Sequence, residues 1–465
     1  MKHLAEPARV TARTDAAVSK TSFRWVILAF AYLTYIVAGA DRANVSVAIP
    51  YMRKELDLSN ADIGLAAGLF FIGILIVQLP GSLILQRTAV RLALGIAILL
   101  TSVVTLAVSF VANAPQLMVN RLLLGLAEGL IPIGCLTMIN RWFPQQERGT
   151  AVGLFVSSIK LAPAMTPPIC AAIILLSGWR SVFSWFAIPG ILIAVLWILL
   201  AKDRPQDSPF VNAAEAEYIN ADAAEASEKD RTRRHAWPKL DYLLRTRSVA
   251  PIERNRDILK SPLVWGCAIG YGMLSGLTYS IMTWVPTYLV EVKKYSLMQM
   301  GFVSSAPWVG AVLGAIAGGL ISDQVFRGRR KPLMMLSAGS SIITMYGLTV
   351  SPNEPTILVL MLMMTGMLLN MGYSTFLAYP MGFVTRSGTP FALALVNMGG
   401  AACGGSAPYV MGLILDKYDW NVAFTFLAIC AMVALIIVIL LFEQGGGSAA
   451  RAASSSDASQ SSARR

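Results

Sequence analysis

Five charged residues lie well inside apolar runs: Asp41 and Arg42, Arg121 and Glu128, and Lys160. Such positions are costly unless each charge meets a partner or a wet cavity, so the residue types point to chemistry. A buried carboxylate can take up and release a proton, and a guanidinium holds a carboxylate anion through two parallel hydrogen bonds. Burial favours the neutral form of a carboxyl while a nearby arginine favours the charged one, a balance that an arriving anion can tip. Histidine would be the usual group titrating near neutral pH. The only two, His3 and His235, lie outside the apolar runs, so Asp41 and Glu128 are the candidates for carrying protons. Three cations against two anions leave a net charge of +1, which favours an anion as the missing partner.

Purely structural readings compete with this one. Arg121, Gly125 and Glu128 are spaced i, i+4, i+7 and share one helix face, so Arg121 and Glu128 could be no more than an ion pair. Lys160 could simply neutralise Glu128. Asp41 and Arg42 are adjacent in sequence, about 100° apart on a helix, and are poorly placed to neutralise each other.

The elements that must hold these residues follow from composition. The 465 residues are 55% hydrophobic and only 14% charged, with a mean hydropathy of +0.61. A soluble domain carries about 25% charged residues, so a water-soluble enzyme, a nucleic-acid binder and a disordered chain are poor fits. No nucleophile–base set or metal-ligand cluster is visible, which argues against an enzyme and against any cofactor. The five cysteines all lie in apolar stretches and form neither a disulfide framework nor a metal site. The first twenty residues lack the apolar core and small-residue cleavage site of a signal peptide.

Apolar runs bounded by charges or turn residues give twelve spans, at about 24–50, 61–86, 90–112, 116–140, 148–176, 180–201, 262–290, 297–322, 332–351, 355–385, 389–415 and 419–442. The predicted fold is an all-α membrane protein of twelve transmembrane helices in two six-helix halves. The predicted organisation is a tail at 1–23, an N-terminal half at 24–201, a central loop at 202–261, a C-terminal half at 262–442 and a disordered tail at 443–465. Within the central loop, 213–230 reads as an acidic surface helix, and 237–260 is basic with Leu240, Leu243 and Leu244 set along the membrane face. With both termini inside, the inner segments hold 29 lysines and arginines and the outer loops six, which predicts cytoplasmic termini.

The halves echo each other. The run from Pro80 and Gly81 to Arg87 has a counterpart in Gly318, Gly319, Asp323 and Arg327. Two such halves match the parallel repeats of the major facilitator fold, with a site between them at the midplane. Gly310, Gly314 and Gly318, spaced by four, predict a close helix contact, as do Gly266 with Gly270 and the glycines at 399–405.

Gly39, Ala40, Asp41, Arg42, Ala43, Asn44, Val45 and Ser46 resemble the span-one motif of the anion:cation symporter family within the major facilitator superfamily. Arg121 to Glu128, then Asn140, Arg141, Trp142, Phe143 and Pro144, and Glu147, Arg148 and Gly149, are similar to that family's span-four signature. Thr283 to Leu289 resembles its span-seven end. The resemblance covers nearly the whole chain and is nearest to the bacterial galactonate- and glucarate-type carriers. It implies a monomeric carrier in the bacterial inner membrane that takes up a small organic carboxylate with protons by alternating access. It implies proton uptake at Asp41 and Glu128 and a substrate carboxylate on Arg42, closed from the C-terminal half by Tyr279, Tyr379 and Asn397. Arg121 and Lys160, buried cations beside them, are taken from their own charge and depth as further substrate-site residues. For the tyrosines the plainer reading is an aromatic near a span end, and for Asn397 a bridge between helices.

The chain departs from the sugar-acid pattern at Gly39 and Ile74, where tyrosines are common, and at Lys160, where a glutamine is. Gln86 replaces a loop aspartate of the superfamily, whereas Asp323 keeps its counterpart. With fewer hydroxyl-reading groups and one more cation, a dicarboxylate or aromatic acid fits as well as a sugar acid. Rival classes are an exporter or antiporter of organic anions or drugs and a uniporter for neutral solutes. Span five lacks the glycine–proline run associated with the antiporters, and a neutral solute would not need the buried charges.

Overall fold

The computed structural model describes residues 20–220, 252–326, 329–385 and 388–443. Leu240, Leu243, Leu244, most of the basic stretch and both tails lie outside the described residues. The side chains of Gln86 and Asp323 also lie outside them.

The described chain is almost entirely helical, and eleven helices are long and apolar enough to cross a bilayer. The twelfth span, Pro262–Glu291, has 30 residues, enough for about 45 Å of helix. Its glycines, tyrosines and hydroxyl side chains make it more polar, and it is buried along most of its length. Asn113 caps the fourth span by accepting from the Gln116 amide at 3.0 Å, with Pro115 in the first turn. This is a multi-pass membrane protein.

Two spans differ from the expected continuous helices. Span four is split into Ala114–Glu128 and Ile131–Trp142. Pro132 is the cause: its ring cannot donate, and it crowds the carbonyl four residues back, which is that of Glu128. Span ten is split at the matching depth into Pro355–Met371 and Tyr373–Ala378. Both halves thus interrupt a helix where a polar side chain, Glu128 or Asn370, faces the midplane.

Glycines set the closest helix approaches. A Cβ on Gly125 would stand 2.0 Å from the Phe70 carbonyl oxygen, so span four lies directly against span two. In the other half, Cβ atoms on Gly310, Gly314 and Gly318 would lie about 2 Å from the carbonyl oxygens of Met363, Met367 and Met371. The four-residue spacing is therefore a backbone-on-backbone seam between spans eight and ten, as expected.

The two halves meet at the end remote from the chain termini. Asp416 of span eleven accepts from the amides of Asn60 and Ala61, at 2.9 and 2.8 Å, and so caps the start of span two. Arg53 pairs with Glu291 at 2.9 Å, Gly68 packs on the Gly405 backbone, and Gly301 packs on Pro167. Among the described residues, these contacts between the halves run from this end to mid-depth, where Lys160 meets Asn370.

The start of the central segment corrects an expectation. Ala213–Asn220 is helical, but it does not lie free on the surface. Glu215 is fully buried, accepting from Arg24 Nη1 at 2.9 Å, the Phe23 amide at 3.1 Å and the Thr21 hydroxyl at 2.6 Å. Arg24 also meets Glu147 at the start of span five. Sequence acidity suggested solvent, whereas the Phe23 and Arg24 amides at the start of span one, with the Thr21 hydroxyl and the Arg24 guanidinium, supply the partners. Glu215→Ala should destabilise the protein by about 1–3 kcal/mol, because it leaves the Phe23 amide and Arg24 Nη1 without their acceptor while Glu147 still holds the Arg24 charge. An unchanged unfolding midpoint in detergent would show that the cluster adds nothing net.

Candidate functional site

Span one carries Asp41 and Arg42 at mid-depth, on a single helix from Phe23 to Leu56. Gly73 and Gly125 let span four pack backbone to backbone on span two, and from there Glu128 reaches across to Arg42 of span one. Arg42 Nε donates to Glu128 Oε1 at 2.6 Å, and its Nη2 contacts the same oxygen. The guanidinium is held over the rings of Tyr35 and Phe70, with centroids 5.7 and 5.6 Å from Cζ. Glu128 is therefore paired with Arg42, not with Arg121 and not with Lys160.

Asp41 is 1% exposed and accepts from Asn44 Nδ2 at 3.2 Å. Its second oxygen and the second oxygen of Glu128 are both buried without a hydrogen-bond partner among the described residues. An unmatched buried acceptor is unfavourable, and a proton on it removes the charge. Arg121, 4% exposed, sits in the field of Asp41 and Glu128. It donates to Asn120 Oδ1 at 3.2 Å, and its Nε is buried without a partner among the described residues.

A cavity opens beside this set, lined by Arg42 and Arg121 from one half and by Tyr279, Met282 and Thr283 from the other. Tyr279 packs on Phe71, ring centroids 4.4 Å apart, and on Gly404 of span eleven. The structure thus brings together Asp41, Arg42, Arg121, Glu128 and Tyr279.

Three other expected residues lie elsewhere. Lys160 Nζ donates across the halves to Asn370 Oδ1 at 2.6 Å and stands 4.8 and 5.9 Å from the ring centroids of Tyr373 and Trp308. It is not among the residues lining the arginine cavity. Tyr379 is buried at the other end of span ten, where its hydroxyl donates to the Phe442 carbonyl oxygen and its ring meets Phe383. It does not reach the cavity. Asn397 is exposed and lies on the span-eleven face that also carries Ala401 and Gly404, one and two turns nearer Tyr279.

Sequence reasoning missed Asn370 and Tyr373. The Tyr373 hydroxyl shares a hydrogen bond with Ser275 at 3.0 Å, and its ring lies 4.7 Å from that of Tyr271. The available signal was one amide in an otherwise apolar run, just before a glycine break. Among the described residues no group of histidine, cysteine and acidic side chains could hold a metal ion.

Two helical halves around a charged cavity at mid-depth define a membrane carrier. The chain belongs to the Major Facilitator Superfamily, whose family model matches residues 31–327 and 300–462. It is a transporter, not an enzyme. It is 29% identical over 351 residues to the probable galactarate/D-glucarate transporter GudP of Bacillus subtilis, covering 72% of this chain and 74% of that one. It is 26% identical over 434 residues to the probable galactarate/D-glucarate transporter GarP of Escherichia coli, covering 89% and 93%. Its fold matches the inward-facing, unoccupied crystal structure of a bacterial homologue of the human lysosomal transporter Spinster. That match has a TM-score of 0.73 at 14% identity and covers 91% and 97% of the two chains.

Proposed function

We propose that the protein takes up an organic carboxylate together with protons, by alternating access of a site between the two six-helix halves. The observation that carries this reading is the buried set of two carboxylates and two arginines, each carboxylate keeping one oxygen without a partner among the described residues. Arg42 and Arg121 receive the anion, while Asp41 and Glu128 take the protons. An anion arriving at Arg42 competes with Glu128 for the guanidinium, and a released Glu128 then gains by protonation. Substrate and proton binding are thereby linked without any direct contact between them.

Relatives named for galactarate and D-glucarate support a carboxylate as substrate. The basic bias supports cytoplasmic termini in a bacterial inner membrane. With that orientation the closed end is the outer one, and the cycle alternates this state with one open outward. Nothing in the arrangement requires a second copy, so the working unit is a monomer.

The test is uptake of labelled acids into proteoliposomes with and without a protonophore. Collapse of the gradient should abolish accumulation, and accumulation that survives would overturn proton coupling. Stoichiometry gives a further expected result. Two titrating carboxyls allow two protons per cycle, so a monovalent anion would carry one net positive charge inward. An inside-negative potential of 100 mV would then add about 2.3 kcal/mol to the driving force. Potassium-diffusion potentials in proteoliposomes should therefore speed its uptake, and indifference to potential would mean electroneutral coupling.

A further inference from the structure

The lining of the arginine cavity says more about its ligand than the arginines alone. Beside Arg42 and Arg121 it holds three hydroxyl side chains, Ser46, Tyr279 and Thr283, and otherwise only apolar residues. Ser46 already donates to the Ala43 carbonyl oxygen at 2.7 Å. The wall beyond the arginines, toward the closed end, is made by Val45, Ile49, Met52, Ile63, Phe70 and Phe71. Among the described lining residues there is no amide and no carboxylate, the groups that read hydroxyls in pairs.

We propose that the carried acid has an apolar body, an aromatic ring or a branched hydrocarbon, with its carboxylate on Arg42 and Arg121. This rests on the organic-carboxylate reading above and narrows its substrate class. The carboxylate is drawn to Arg121, whose buried Nε lacks a partner among the described residues. The body fills the apolar space beyond it, which Phe70 and Phe71 line. A hexaric or hexonic acid placed there would bury several hydroxyls against methyl and ring carbons. Each hydroxyl left unmatched should cost about tenfold in affinity. The sugar acids that name the relatives are therefore poor ligands for this chain.

Binding to the purified full-length protein decides the matter without depending on proton coupling. The probes are benzoate, phenylacetate and a branched-chain oxo acid against galactarate, D-glucarate and galactonate, read by thermal stabilisation and by counterflow in proteoliposomes. At least one apolar-bodied acid should bind about 100-fold more tightly than any of the sugar acids. Ala67→Leu, which narrows the cavity, should weaken the ring acids about tenfold or more. Preferential binding of a sugar acid would overturn the inference and leave carboxylate transport standing. Ring-acid binding and exchange that ignore a proton gradient would support the inference while removing proton coupling. Binding of none of the acids would overturn the inference and the carboxylate reading together.

Discussion

Glu128→Gln should abolish proton-driven accumulation while leaving exchange of substrate across the membrane. The amide keeps the size of the carboxyl and an acceptor for Arg42 Nε, now 2.6 Å from Glu128 Oε1, but it cannot bind and release a proton. A gradient of one pH unit supports roughly tenfold accumulation per coupled proton. At that gradient the native protein should concentrate its acid about tenfold to a hundredfold, and the variant should only equilibrate it. Asp41→Asn should act in the same direction, because Asp41 also keeps an unpartnered buried oxygen. The two variants separate by their secondary effects. Glu128→Gln frees Arg42 from its ion pair, the only one it makes among the described residues, so anion affinity should rise or hold. Asp41→Asn leaves that pair intact and should change coupling alone. Accumulation that survives in both variants would show that neither carboxyl carries the coupled proton.

The spans were readable because a bilayer demands about 20 apolar residues for each helix, and little else in the chain interrupts such runs. The buried charges were readable for the same reason, since charge stands out against apolar sequence. Pairing was not. Arg121 and Glu128 share a helix face, and spacing alone favours them as partners, yet Glu128 pairs with Arg42 of span one instead. That choice depends on the rotation of span one against span four, which no single helix encodes. The break after Glu128 was foreseeable in principle, because Pro132 stands four residues on, but an apolar run masked it. Tyr379 was expected at the pocket by resemblance, but in this structure its hydroxyl donates to the Phe442 carbonyl oxygen, whereas Tyr373, about one turn and a half nearer the midplane, is the ring beneath Lys160. The buried Glu215 was illegible because its partners lie about 190 residues away, and two of them are backbone amides, which leave no mark in a sequence.

If the carried acid bears a second anionic or strongly accepting group beyond its apolar body, Lys160→Gln should lower affinity for it by about 1.5–3 kcal/mol, the scale of a hydrogen bond to a charged group, and leave simple ring monoacids unaffected. The geometry removes the rival in which Lys160 merely neutralises Glu128, since that carboxylate is taken by Arg42 and the ammonium bonds Asn370. An amide offers it a dipole but no compensating charge, and the flanking rings of Tyr373 and Trp308 recover only part of what burial costs. An anion reaching this depth during the cycle would supply the missing charge, with Arg42 holding the first carboxylate. The surviving alternative is mechanical: Lys160 and Asn370 join the two halves at mid-depth, and their bond must break whenever the halves part. Asn370→Ala separates the two accounts. It removes the bond but keeps the cation, so a contact role predicts that its affinity for diacids holds or improves while Lys160→Gln alone loses it. If the bond is only a latch, both variants should change the turnover rate alike and leave affinity and selectivity untouched. Equal effects of that kind would remove Lys160 from the substrate site.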